Sequence, residues 1–252
     1  MKLLLNDMNP SVKFVIVTFS MIVLAFFFNP WTPLFFCCGI IVLQIVFSQT
    51  NWKLWFVCML PFTFGAFGYL WTTLVFGRAS SGTVIFSSVF FDITDHQLNL
   101  ALSLSLRVLA FSVLSLMFAF TTAPVKFVMS LMQQMKLSPK LAYSVLVGYH
   151  FLPLIKDEFM QIKQVHKMRT FSVENSRGLR LTSITRMLIP TLAGSVRKAE
   201  SAAFAMEARG FTGEARTSFF RPITIKPSDY WFSLLFAALL AACCIFGALL
   251  NK

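Results

Sequence analysis

The sequence predicts an all-α protein: a polytopic membrane helical bundle of about five spans, with long amphipathic helices on the cytoplasmic side. Three observations predict it. Apolar residues make up 57% of the chain, 30 of them Phe, and the mean hydropathy is +0.72, well outside the range of soluble globular chains. Five apolar windows reach the 17–25 residues, about 20 on average, that a helix needs to cross hydrocarbon. Positive charge is concentrated in one block: 16 of the 22 Lys and Arg fall within residues 123–228, which hold six acids and so carry a net +10 of the chain's +12.

The first window, 12–28, is broken only by Lys13, Thr18 and Ser20. The turn signal Asn29-Pro30-Trp31 separates it from the second, 32–48. Window 54–76 carries no charge, and Pro61, Gly65 and Gly68 predict that it is bent or broken. The fourth, 98–122, carries one charge, Arg107, and the last, 230–250, closes the sequence. No small-x-small cleavage site follows Phe28, so a secretory signal peptide is not expected.

Basic residues favour the cytoplasmic side, which places the 123–228 block inside. Lys2, Lys13 and Lys53 agree with a cytoplasmic N-terminus, and the 77–97 connection offers only Arg78 against Asp92 and Asp95. Lys252 is then external. Residues 1–122 read as N-terminal transmembrane helices, 123–228 as a cytoplasmic and interfacial region, and 229–252 as a C-terminal transmembrane helix. Attraction to anionic headgroups of the lipid bilayer accounts for the net charge. Nucleic acid is not an expected partner, since no recognition motif accompanies the basic residues.

Within the block the pattern is regular. Pro124 suits a first helical turn, and 125–135 reads as a short interfacial helix with Val125, Val128, Met129, Met132 and Met135 on one side. Ser138-Pro139 starts a long helix with Ser138 as N-cap. Pro153 should kink or interrupt it, and amphipathic spacing of Ile155, Phe159, Ile162 and Val165 carries it to Met168-Arg169-Thr170. A polar linker at 172–178 precedes an amphipathic segment from about Leu179 that contains Pro190. A last helix runs from roughly Thr191 to Arg209. Its Ser195, Ala199 and Ala203, four residues apart, would let another helix backbone approach closely, and Gly210 is a natural C-cap.

These residues resemble the transmembrane T component (EcfT/CbiQ-like) of energy-coupling factor (ECF) transporters, the ABC-type importers of vitamins and metal ions in prokaryotes. The resemblance runs from about Arg107 to Arg216. It rests on Thr121-Thr122-x-Pro124, Phe151-Leu152-Pro153 leading to Asp157-Glu158, Ile189-Pro190, and above all the closing stretch at 197–211. The first hundred residues match in hydropathy alone.

The resemblance implies two Ala-Arg-Gly-type motifs ending two coupling helices, each arginine pairing with an acidic groove on one of two ABC ATPase subunits. The second motif is intact as Ala208-Arg209-Gly210. The first falls on Met168-Arg169-Thr170, where only the arginine is kept, with Arg177-Gly178 as a rival in a loop-like stretch. A membrane-embedded substrate-binding (S) subunit is the other implied partner, and uptake of a vitamin or similar micronutrient the implied function. The Met-rich 129–135 region would border the surface facing that subunit. Read by periodicity alone, Arg209 is a cation at a helix C-terminus, worth about 0.3–1 kcal/mol against the helix dipole.

The other polar residues read as structural. Arg107 would cost roughly 2.5–3.5 kcal/mol on insertion and is expected to pair with a carbonyl or acid inside the bundle. His96, His150 and His166 form no ligand set, and the five cysteines read as small apolar residues, so no metal, disulfide or cofactor is expected. No Walker motif, G-x-S-x-G or H-E-x-x-H is present, so any ATP hydrolysis belongs to separate chains and the protein is not read as an enzyme. The alternatives are a classical ABC permease that forms the substrate path itself, and a membrane enzyme or stand-alone structural protein.

Overall fold

Apolar segments too long for a small core fold here as helices, the form that satisfies every backbone polar group within one segment. In a computed structural model, the structure describes residues 5, 8–27, 29–48, 51–76, 84–88, 91–170, 180–214, 219–220 and 222–250. By Cα proximity the chain divides into two compact units, Met1–Ser130 with Pro222–Lys252, and Leu131–Arg221.

The first unit holds α1 (Pro10–Phe26), α2 (Trp31–Phe47), α3 (Trp52–Phe76), α4 (Asp95–Thr121) and α8 (Pro227–Leu250). These are the five apolar windows. α3, α4 and α8 are long and apolar enough to cross a membrane, while α1 and α2 have 17 residues each, about 25 Å of helix and the lower limit for a span. Of the bend or break expected in α3, the break does not occur: the helix continues through Pro61. Between α3 and α4 the connection contains two short strands. Val84–Ser88 (β1) and Phe91–Thr94 (β2) pair antiparallel, with Ser88 opposite Phe91 and Val84 opposite Thr94.

α4 is the hub, packing against α1, α2 and α3, and α8 packs against α1 and α2. The buried residues of α4 are small in its first half (Ala101, Ser103, Ser105, Ala110) and larger toward its end (Val113, Leu114, Leu116, Met117), so neighbouring backbones come close where side chains are short. Phe36 meets Phe236 edge to face at 5.9 Å between α2 and α8. Further along α8, a Cβ on Gly247 would lie 3.3 Å from the Cα of Thr32. α3 is the least enclosed of the three long spans, with Phe56, Phe64, Phe67 and Trp71 exposed; hydrocarbon can cover such a face as well as protein can.

Two basic residues in the spans are held by backbone carbonyls. Arg107 donates to the carbonyl of Phe27, the C-cap of α1, which is the structural pairing expected of it. Lys13, read from the sequence only as a topology marker, is 2% exposed. Its Nζ donates to Leu5 O at 2.6 Å and to both O and Oγ1 of Thr121 at 3.1 Å. Beside it, Asn9 caps α1 by accepting from Ser11 N, and Ser11 Oγ meets Ser130 Oγ at 2.7 Å. Asp229 accepts from Lys226 N at 3.0 Å and from Asn9 N at 3.4 Å. A carboxylate in the first turn of α8 thus reaches the cap of α1.

The short helix α5 (Pro124–Gln134) begins at Pro124 as expected. Its bundle side, however, is set by Phe127, which stands 5.4 Å from Phe14 and 5.3 Å from Phe118, and by buried Ser130. Met132 is buried, whereas Met135 is half exposed, so the methionines do not form one uniform face.

Candidate coupling site

The second unit is built on α6 (Pro139–Thr170) and α7 (Arg180–Ala208). α6 starts at Pro139 and runs without interruption through Pro153. α7 likewise runs through Pro190, so the segment from Leu179 and the helix from Thr191 are one element rather than two. Proline removes a single intrahelical bond. Just after it, Thr191 Oγ1 donates to Met187 O at 2.7 Å and Ser195 Oγ to Thr191 O at 2.8 Å. Side-chain hydroxyls therefore supply donors to the backbone around Pro190.

Three contacts fix the two helices antiparallel. Near the start of α6, Lys140 packs its stem against Gly213. One turn on, the Tyr143 ring meets Phe211 at 5.3 Å, nearly edge to face. Further along, Glu158 Oε2 takes a hydrogen bond from Lys198 Nζ at 2.5 Å, and the same carboxylate occupies the space that a Cβ on Gly194 would need. Thr191 and Gly194, on this side of α7, are buried. Of the stripe read from spacing, Ser195 is half buried, while Ala199 and Ala203 are exposed and line a groove.

The end of α7 is a Schellman cap. Gly210 has φ +75°, Phe211 N donates to Met206 O at 3.0 Å and Gly210 N to Glu207 O at 2.9 Å. The left-handed turn at Gly210 swings Phe211 back onto Tyr143. Arg209, the residue before the turn, is left exposed, and its guanidinium makes no hydrogen bond or ion pair among the described residues. Ala208 closes the helix, also exposed.

The other motif closes α6. Met168 is 67% exposed, and Arg169 and Thr170 form the end of the helix. Arg177-Gly178 and the polar linker lie outside the described residues. Because the helices are antiparallel, Arg169 and Arg209 stand at opposite ends of the pair. Lys140, beside the Arg209 cap, is 29 residues from Arg169 along α6, about 43 Å of helix. The structure thus presents two separate arginine ends.

Sequence reasoning missed the contacts that hold these ends. An apolar residue just after a capping glycine is a signal for a packed cap, and Phe211 could have been found that way. Glu158 and Lys198 are 40 residues apart in sequence, and no local pattern joins them.

Comparison with known proteins agrees with this architecture. The family model described as CbiQ, cobalt transport protein, matches residues 1–219, so the relationship includes the first hundred residues and not only the basic block. The energy-coupling factor transporter transmembrane protein EcfT of Leuconostoc gelidum subsp. gasicomitatum is 25% identical over 253 residues, covering 96% of this chain and 91% of that protein. EcfT of Thermotoga maritima is 28% identical over 184 residues, 68% of this chain and 66% of that protein. EcfT of Macrococcus caseolyticus is 22% identical over 228 residues, covering 86% and 84%. With a bundle of apolar helices and a family match over most of its length, the chain belongs to the CbiQ family, as an EcfT-like transmembrane component of energy-coupling factor transporters.

Proposed function

We propose that this protein is the coupling subunit of an importer, transmitting ATP hydrolysis in two partner ABC ATPases to a membrane-embedded substrate-binding subunit that takes up a vitamin or similar micronutrient. The chain itself is the scaffold, and hydrolysis takes place in the partners. Residues 1–122 and 229–252 anchor it in the cell membrane with the N-terminus cytoplasmic, and 123–228 form the coupling region on that side. Arg209, flanked by Ala208 and Gly210, meets an acidic groove on one ATPase. Arg169, flanked by Met168 and Thr170, meets its counterpart on the other.

The observation that carries this reading is the exposed Arg209, unpaired among the described residues, on a capped helix end that Phe211 fastens to Tyr143. Arginine presents a planar fork of donors to a carboxylate and stays charged at any working pH. On a fixed helix end, little conformational freedom is left to lose when the fork binds. The wide separation of Arg169 from Arg209 suits two ATPase chains rather than one.

The test is affinity purification from native membranes in mild detergent, with every co-purifying chain identified. Two ATPase chains and one small membrane protein are expected with the wild type, and Arg209→Glu should lose the ATPases. A full-strength ATPase complex with Arg209→Glu overturns the proposal, as does wild-type protein that brings down no ATPase.

A further inference from the structure

Between the N-terminal half of α6 and the last turns of α7 lies a groove of about 600 Å³, within the range of small-molecule sites. Its lining is sorted along its length. Toward the Glu158–Lys198 contact it is apolar, with Val147 and Phe151 on α6 facing Ala199 and Ala202 on α7. Short side chains create the room there, and a Cβ on Gly148 would meet nothing within 4 Å. Toward the Gly210 cap, polar groups of Lys140, Ser144, Glu207 and Thr212 join the Tyr143, Met206 and Phe211 side chains.

Lys140 and Glu207 face the same mouth from different helices, yet they form no ion pair with each other. The ion pair among the described residues is Lys198–Glu158. Opposite charges held apart at the head of an apolar channel complement a zwitterion with a hydrocarbon tail. The flank of the groove points the same way: Leu141, Val145 and Leu152 of α6 are each more than half exposed. In a chain of a membrane family, such a face is compatible with hydrocarbon.

We propose that this groove binds one acyl chain of a phosphatidylethanolamine lipid. The chain lies along Val147, Phe151 and Ala202, the phosphate faces Lys140, and the headgroup ammonium faces Glu207. The chain's net +12 draws anionic lipid to the protein at long range, but the Glu207 carboxylate opposes an anionic headgroup at this mouth. Choline carries the positive charge without an N–H to donate, so it satisfies Glu207 less well.

The experiment is native mass spectrometry of the full-length protein in detergent, offered phosphatidylethanolamine, phosphatidylcholine or phosphatidylglycerol at equal concentration. It needs no transport partner, so its outcome is independent of the proposed coupling role. One phosphatidylethanolamine should be retained roughly tenfold more readily than either other lipid, and Lys140→Ala and Glu207→Gln should each remove most of that preference. Ala203→Trp and Gly148→Phe, which fill the groove from opposite helices, should abolish retention while helical content stays unchanged. Equal retention of all three lipids, or retention that survives both filling variants, overturns the proposal. So does a wild-type groove that holds no lipid and instead contacts the substrate-binding subunit in crosslinking.

Discussion

Lys198 Nζ and Glu158 Oε2 stand 2.5 Å apart, and the same carboxylate fills the space where Gly194 has no side chain. α6 and α7 are thus joined by a charge pair and a close approach at one place. The charge pair is partly solvent-exposed, so by itself it contributes about 0.2–1 kcal/mol. The Glu158 atoms that a Cβ on Gly194 would meet are the far end of a flexible side chain, so a methyl there displaces the carboxylate, while alanine gains about 1 kcal/mol over glycine inside a helix. Gly194→Ala should therefore leave the melting temperature of the detergent-solubilised protein close to that of wild type, and Lys198→Met should lower it only slightly. A clear loss with Gly194→Ala would show that Glu158 cannot move aside.

At the cap of α7, an alanine at position 210 would have to take a left-handed conformation, at a cost of about 1–2 kcal/mol. Gly210→Ala should release Phe211 from Tyr143 and weaken ATPase co-purification, and Phe211→Ala should do the same. Tyr143→Phe keeps the ring and should leave both properties unchanged. Limited proteolysis after Arg209, together with the pull-down, checks each variant.

Charge and fork geometry can be separated at the arginine ends. Arg209→Lys keeps the charge but loses the planar donor pair, and should retain an intermediate amount of ATPase, between wild type and Arg209→Glu. If the two ends are equivalent contacts, Arg169→Glu should lose about as much ATPase as Arg209→Glu. Quantitative pull-down of the three variants side by side gives the order.

Lys13→Met would strand the Leu5 and Thr121 carbonyl oxygens, at about 1–3 kcal/mol for each buried acceptor left unsatisfied. It should reduce folded yield and thermal stability far more than removal of a surface lysine such as Lys126. Thr121→Val removes only the hydroxyl partner and should have a smaller effect. Fluorescence-detected size exclusion of membrane extracts over a temperature series would rank them.

The α2–α8 contact contains two glycines with different tolerances. A Cβ on Gly39 meets only the tip of the Leu239 side chain, at 3.0 Å, whereas one on Gly247 meets Thr32 down to its backbone. Gly39→Ala should be nearly neutral and Gly247→Ala clearly destabilising in the same assay. Similar losses at both positions would mean that Leu239 cannot move aside.

The spans were legible because hydrocarbon imposes one requirement on sequence, a long run without charge, and all five windows became helices. The caps at Pro124, Pro139 and Gly210 were legible because each uses a residue whose backbone freedom is special. Pro61, Pro153 and Pro190 do not interrupt their helices, each of which continues through its proline. The β1–β2 hairpin was missed beneath the charge argument for the 77–97 connection, although Val, Ile and Phe are strand formers. In the candidate site, Arg209 could be picked out from its neighbours in sequence. Its fastening to Tyr143 and the Glu158–Lys198 pair depend on which turns of two antiparallel helices face each other, and that register leaves no local trace.

Lys13 also sets a schedule for biosynthesis. Its partner Thr121 is made 108 residues later, and Asp229, which joins the cap beside it, more than a hundred residues after that. During translation the Lys13 ammonium therefore has only the Leu5 carbonyl until the fourth span brings the Thr121 oxygens, and the corner around it closes when the last span brings Asp229. A chain truncated before Thr121 should hold its first helix loosely and be cleared by membrane quality control, whereas one that reaches Asp229 has completed the corner where its first, fourth and last spans meet.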